Sequence, residues 1–314
     1  MLKTYFLTIF LLVLALLLSI YRRKAALPPE DTDKFVNMPR LFSKPQLYII
    51  FDNENNSRNW WDFGARNSTL PNRGYLQVAF ELVKRTQGGD YDIVPLVGRK
   101  TVQLLVPDAP DATQLPPKLW RAWAIANLCA AKGGLVMDGN STLCVGPSFA
   151  PSVQGHSAAM FGIYPDEPVA NPTEAVAPGP APFVGWAASP GLPAWTVAAE
   201  RWNALVRRGA QAWSAALARR ADLEVAEAQR ANGLTILRAP DGSRLANGKL
   251  RQLEDYFGRV ADPADPKLNL QPGTVFVSYD GDDLARRFEF NWFLRMSPEQ
   301  IKESDIIWSK LAGF

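Results

Sequence analysis

The stretch Leu119–Pro147, LWRAWAIANLCAAKGGLVMDGNSTLCVGP, decides how this chain is read. Pro116-Pro117 precedes it, and proline suits the first turn of a helix because no amide partner is needed there. Trp120, Trp123, Ala124, Leu128 and Ala131 recur at three- and four-residue spacing and predict one apolar helix face. Gly133-Gly134 closes that helix as a C-terminal cap. Leu135-Val136-Met137 reads as a short buried strand that stops at Asp138-Gly139-Asn140. Helix, glycine pair, strand and polar strand end are the alternation of an α/β domain. In such sheets ligands bind outside the carboxyl ends of the strands.

Working outward, Leu47-Tyr48-Ile49-Ile50-Phe51 is a second apolar run, a buried strand ending at Asp52-Asn53. Residues 55–73 are rich in Asn, Ser, Gly and Arg around Trp60-Trp61 and read as a long loop. Gly74 to Thr86 has helical spacing, and Tyr91–Val97 and Thr101–Val106 read as strands. Residues 163–194, rich in Pro, Ala and Gly, are expected to form a long surface connection. A long helix is predicted from about Trp195 to Arg230, with Trp202, Val206, Trp213 and Leu217 as its stripe. The last part holds a strand, Thr274 to Tyr279, followed by Asp280-Gly281-Asp282-Asp283. Ser297-Pro298-Glu299-Gln300 is a capping box for a final helix.

The amino terminus differs in kind. Thr4 to Tyr21 carries no charge and spans roughly 27 Å as a helix, close to the hydrocarbon thickness of a bilayer. It stops at Arg22-Arg23-Lys24, which is the wrong chemistry for signal cleavage. The expectation is a single membrane anchor over 1–24, a stalk over 25–44 and one α/β body over 45–314. The basic flank after the span places the body on the cytosolic side. Only two cysteines occur, Cys129 and Cys144, both in apolar surroundings and unlike a disulfide framework. The sequons at Asn55, Asn67 and Asn140 would be glycan acceptors only in a lumen. The net charge of +3 is carried by the membrane flanks, so the near-neutral body gives no reason to expect nucleic acid.

The helix, Gly133-Gly134, apolar strand, Asp138-Gly139-Asn140 and the later Pro147 resemble the sugar-binding-region glycosyltransferases with a DxD motif. That group includes capsular polysaccharide synthesis enzymes and Och-type mannosyltransferases. The strand Leu47–Phe51 is similar to the family's first nucleotide-binding strand, and Phe183–Ala188 with Pro190–Pro193 to its acceptor-side segment. The resemblance implies a GT-A-like, Rossmann-type mixed sheet. It implies a nucleotide-sugar donor and a glycan, lipid or protein acceptor. Donor contacts would fall on Asp52, Gly133, Gly134, Asp138 and Asn140. A divalent cation, Mn²⁺ or Mg²⁺, would sit on Asp138 and Asn140, with Asp280 and Asp282 as further ligands.

Two departures stand beside the match. The second Asp of the motif is Asn140, which brings an oxygen but no charge. The family's helix Asp and Arg fall near Ala122 and Ile125, and Arg121 would need a one-residue shift. The residues alone also fit a plain helix-to-strand turn, because Asp-Gly and Gly-Asn are common turn formers. Asp280-Gly281-Asp282 fits either a distant ligand set or solvated loop carboxylates. His156, the one histidine, reads as a loop residue, Trp60-Trp61 as core, and Glu254 and Asp255 as an exposed helix face. No nucleophile–base pair suggests a hydrolase. Two functions follow: a membrane-anchored glycosyltransferase, or a catalytically inactive protein of that fold serving as a tethered scaffold.

Overall fold

Gln46–Phe51 forms β1, and Leu47 to Phe51 is buried throughout. A strand buried on both faces is a continuous apolar run and belongs inside a sheet. In this computed structural model, which describes residues 44–52, 73–161, 184–208, 225, 227–237, 241–260, 262 and 264–314, β1 has a parallel neighbour on each side. These are β2 (Asp92–Val97) and β3 (Gly134–Asp138). Beyond β3, β6 (Val184–Ala187) runs antiparallel to it, and β5 (Ala158–Phe161) antiparallel to β6. β7 (Thr235–Leu237) lies parallel to β5. The result is a six-stranded mixed sheet in the order β2-β1-β3-β6-β5-β7. A separate antiparallel pair joins β4 (Thr142–Cys144) to β8 (Phe276–Ser278).

Side chains alternate across a strand, so each sheet face has its own partners. Leu47, Ile49 and Phe51 of β1 and Leu135 and Met137 of β3 share one core cluster with Val83, Phe149, Phe161 and Phe276. Val83 comes from α1 (Gly74–Gln87), the crossover between β1 and β2. A short helix, α2 (Arg99–Leu105), follows β2 and leads towards α3 (Pro117–Lys132), which packs on β3 and β6 and against α5 (Pro193–Arg207). The four-residue α4 (Ala150–Val153) lies between β4 and β5.

A second cluster uses another face of α1. Tyr75, Val78, Ala79 and Leu82 pack with Tyr256, Phe257, Phe293, Ile301 and Trp308. These come from the C-terminal helices α6 (Leu253–Phe257), α8 (Asn291–Leu294), α9 (Pro298–Glu303) and α10 (Ile307–Leu311), and α7 (Gly281–Arg286) adds Leu284. The Phe257 and Phe293 ring centroids lie 4.6 Å apart at the centre of this cluster. The capping box at Ser297 and Gln300 forms in both directions, but the helix it opens is not the final one, since α10 follows it.

Several expectations need correction. The predicted strand Thr101–Val106 is helical as α2, because Thr101, Val102 and Leu105 turn inward at helical spacing. The predicted connection 163–194 ends in β6, an interior strand, and in the first turn of α5. Four residues are too short for alternation to betray a strand. The stripe on α3 is not a single face: every residue from Leu119 to Cys129 is buried, and Ala131 is exposed. Of the long helix predicted from Trp195 to Arg230, the structure describes α5 and the helical residues 225 and 227–231, and Trp213 and Leu217 lie outside the described residues. So do the membrane run Thr4–Tyr21, the stalk up to Ser43, Asn55, Trp60, Trp61 and Asn67. Among the described residues no helix is long and apolar enough to cross a membrane.

The start of β3 is tight. Gly134 has φ +83°, and a Cβ there would lie 2.5 Å from the Gln46 carbonyl oxygen of the adjacent strand. Gly134→Ala is therefore expected to cost roughly 3 kcal/mol from left-handed strain and overpacking. Chemical denaturation of the full-length chain checks this through a lowered midpoint with an unchanged slope.

Candidate functional site

β1 and β3 are adjacent and parallel, so their carboxyl ends present Asp52 and Asp138 side by side. The chain leaves β1 for β2 on one side and returns to β3 on the other, so this is the switch point of the sheet. Asp138 is only 3% exposed, and Asn140 and Asp52 are equally buried. The Asp280-Gly281-Asp282 turn lies against Asp138-Gly139-Asn140. The Tyr279 amide donates to the Ser141 carbonyl at 2.9 Å. A Cβ at Gly281 would come within 2.3 Å of the Asn140 carbonyl oxygen, so the contact requires glycine. The second turn is not a loop: Asp280 caps α7, accepting from the Asp283 amide, and Asp282 is buried in the first turn.

Arg121 of α3 stands at the centre. Its Nε lies 2.8 Å from Asp138 Oδ2, its Nη2 2.6 Å from Asp282 Oδ2, and its Nη1 3.9 Å from Asp52 Oδ2. Burial works against the guanidinium charge, but Asp138, Asp282 and Asp52 outweigh it and raise the Arg121 pKa. Burial likewise pushes the Asp138 carboxyl above its ordinary range, with Arg121 pulling back and Asp282 pushing further up. Asp52 also takes a two-pronged contact from Arg99, Nε to Oδ1 at 3.1 Å and Nη2 to Oδ2 at 2.9 Å. Arg99 lies over the Trp120 ring, 5.1 Å from its centroid. At the rim, Lys118 Nζ donates to Asp280 Oδ2 at 2.5 Å.

Asn140 closes the cluster from below. Its Oδ1 accepts from the Asp52 amide at 3.0 Å, and its Nδ2 donates to the Asp52 carbonyl at 3.3 Å. Its own amide donates to Asp138 Oδ1 at 2.9 Å. An Asn can satisfy both backbone groups of Asp52, whereas an Asp has no donor to offer. Buried at 3% exposure, Asn140 is no glycan acceptor in the folded chain.

The structure thus brings together Asp52, Asp138, Asn140, Asp280 and Asp282. It does not bring Gly133 and Gly134 to them, since these sit at the opposite end of β3. Arg121, Arg99 and Lys118 complete the cluster and were not among the predicted donor or metal residues. A signal existed for Arg121: a lone charge inside an apolar helix must be paired when buried. Glu254 is an exposed partner of Arg287, and Asp255 caps α6. His156 lies in the turn before β5, where its carbonyl accepts from Trp186 Nε1. Cys129 and Cys144 are buried free thiols.

A divalent cation does not fit this donor set as it stands. Both Asp138 oxygens and the Asn140 Oδ1 are already engaged, and a guanidinium lies among the carboxylates. Among the described residues no group of three or more acidic, His or Cys side chains is arranged to hold a metal.

Two outcomes follow from these contacts. Asn140→Asp, although it would complete a DxD motif, is expected to destabilise the chain by about 2–3 kcal/mol, because a buried acceptor would face the Asp52 carbonyl. Thermal and urea denaturation measure this. Burial alone would raise Asp280, but Lys118 and the Asp283 amide outweigh it and hold the carboxyl below its usual range. A lowered folded pKa gives stability that is present above the unfolded value of about 3.9 and lost as pH falls through the folded value. Lys118→Met is therefore expected to raise the pH midpoint of acid unfolding slightly, by less than about 1 kcal/mol in effect for a partly exposed pair. The chain matches no protein-family model, no curated protein and no solved structure.

Proposed function

We propose that this chain is a membrane-tethered, non-catalytic scaffold built on a GT-A-like, glycosyltransferase-type body. One observation carries the reading: the chain's own Arg121 stands among the strand-end carboxylates to which the resemblance assigns a donor's cation, paired to Asp138 and Asp282. A diphosphate donor would have to break buried ion pairs before it could find either a cation or free carboxylates. Breaking such a pair by removing one partner typically costs about 3–5 kcal/mol. The filled cluster then serves as a rigid joint inside the body, and the N-terminal anchor holds that body at a membrane.

The alternative is transfer of a sugar from a nucleotide-sugar donor to a glycan, lipid or protein acceptor. A specific observation favours it: Asp52, Asp138 and Asn140 gather at the switch point of the sheet, where α/β proteins bind ligands. In that reading Arg121 stands one residue from the place of the resemblance's helix aspartate, Ala122, and one helical turn before that of its arginine, Ile125.

The two readings separate in one experiment on the full-length chain in detergent. A panel of nucleotide sugars, each with and without Mn²⁺, is scanned by thermal shift. The expected result is no donor-dependent stabilisation. A stabilisation by one donor that disappears in Asp138→Ala would establish the transferase instead and give its donor class.

A further inference from the structure

The joint around Arg121 is short of acceptors. Its Nη1 is buried and makes no hydrogen bond among the described residues, and Asp52 Oδ2 stands off at 3.9 Å. The hydroxyls of Tyr75 and Tyr279 and the Trp308 indole nitrogen are buried too, and they likewise lack a hydrogen-bond partner among the described residues. Ring contacts tie these three together. The Tyr75 centroid lies 5.5 Å from that of Phe293, and Phe293 5.6 Å from Trp308. Tyr279 lies 5.9 Å from Phe257, which packs on Phe293. Tyr279 also directly precedes the Asp280-Gly281-Asp282 turn that meets Arg121. Both hydroxyls sense the ion cluster. Burial raises the Tyr75 pKa, Arg73 pulls it back, and Asp282 and Asp138 add to the rise. Burial likewise raises Tyr279, Tyr75 adds to it, Trp308 pulls back and Asp138 pushes further. Arg73 and Trp308 stand near these hydroxyls without the alignment that a hydrogen bond needs.

Buried donors left unmet each cost stability, and native interiors hold few of them. The carboxylates at hand are already engaged. Asp52 receives Arg99 on both oxygens, and Asp138 receives Arg121 on one and the Asn140 amide on the other. The missing group must therefore accept from a guanidinium and from hydroxyls. An anion would be repelled by three buried carboxylates, and a cation cannot accept a hydrogen bond. Water both accepts and donates, and internal waters typically join about three polar groups. A polar contact longer than about 3.5 Å, such as that from Nη1 to Asp52, is the kind that a water bridges. We propose that internal water, held between Arg121 Nη1 and the hydroxyls of Tyr75 and Tyr279, completes the joint and links the ion cluster to the aromatic core. With its proton turned to that water, Tyr279 leaves its oxygen for the Trp308 indole. The hydration site stands apart from both readings of function.

The test uses the full-length chain in detergent with Tyr75→Phe, Tyr279→Phe and the double variant. Phenylalanine keeps each ring and its packing and removes one hydroxyl. Removing an unmet hydroxyl would leave the melting temperature unchanged or raise it. A hydroxyl that holds water supports the fold, so each single variant is expected to melt about 3 °C lower. The double variant is expected to lose less than the sum, because the two hydroxyls share one site. Oxygen-17 magnetic relaxation dispersion counts long-lived internal waters, and its amplitude is expected to fall in the double variant. Single variants that melt at or above wild type overturn the inference, as does a double loss equal to the sum. So does a lowered melting temperature with an unchanged dispersion amplitude, which would mean direct bonds to Arg73 and Trp308. Where Tyr279→Phe does not fold, Tyr75→Phe alone gives both readouts, a lower melting temperature and a smaller amplitude. Donor binding, the failure of the scaffold reading, is scored separately in the nucleotide-sugar panel.

Discussion

A guanidinium buried among carboxylates is the constraint on which the remaining arrangement depends. Taking ions out of water is costly, and the cost is offset only when every charge meets a partner at close range. Arg121 satisfies this with two short contacts and a longer third. Its partners follow β1, end β3 and sit in α7, so one side chain of α3 joins the parallel core of the sheet to the C-terminal helices. Arg99 and Lys118 carry the compensation outward, the first to Asp52 and the second to Asp280. None of these elements can shift far without separating a buried pair.

The two Asp-Gly turns acquire their meaning from this joint. Each reads alone as an ordinary turn, one after β3 and one after β8. In the structure they lie against each other through Gly281, and their aspartates clasp the same arginine. The arrangement has the location of a ligand site, at the carboxyl ends of parallel strands, and the chemistry of a core, with most of its donors and acceptors engaged. That combination is why the scaffold reading is preferred to catalysis. A site that binds a charged ligand keeps some of its charges waiting, whereas here they are answered from within the chain.

Much of the fold was legible because long elements carry strong patterns. β1, α1, β2, α3 and β3 follow their apolar runs closely, and the capping box at Ser297 marked α9 to the residue. Short elements were not legible. β6 has four residues inside a Pro- and Ala-rich stretch, and α2 resembles a strand because Thr101–Val106 is mostly apolar, with β-branched Thr101, Val102 and Val106. The candidate site was half legible. Its aspartates stood out by their place after apolar runs, yet the sequence cannot show that Asp282 and Asp138, more than 140 positions apart, meet. Asn140 looked like a weakened ligand, and its side chain is instead turned to the Asp52 backbone, an interaction that no local spacing encodes. Arg121 needs a one-residue shift to meet the resemblance's pattern, although a charge inside an apolar helix already required a partner.

The sharing of α1 between two core clusters bears on how the protein is made. Its first face closes on the sheet, but Tyr75, Val78 and Leu82 find their partners in Phe293, Ile301 and Trp308. β4 likewise waits for β8, and Arg121 for Asp282. At ordinary synthesis speeds the ribosome needs on the order of 10–50 s to pass from Tyr75 to Trp308. Throughout that interval the nascent chain displays an uncovered apolar helix face and an arginine short of one of its partners. Contacts so distant along the chain also make folding slow. The body is therefore a late folder that closes only when its last helices emerge, and its quality control falls to whatever shields the unfinished chain.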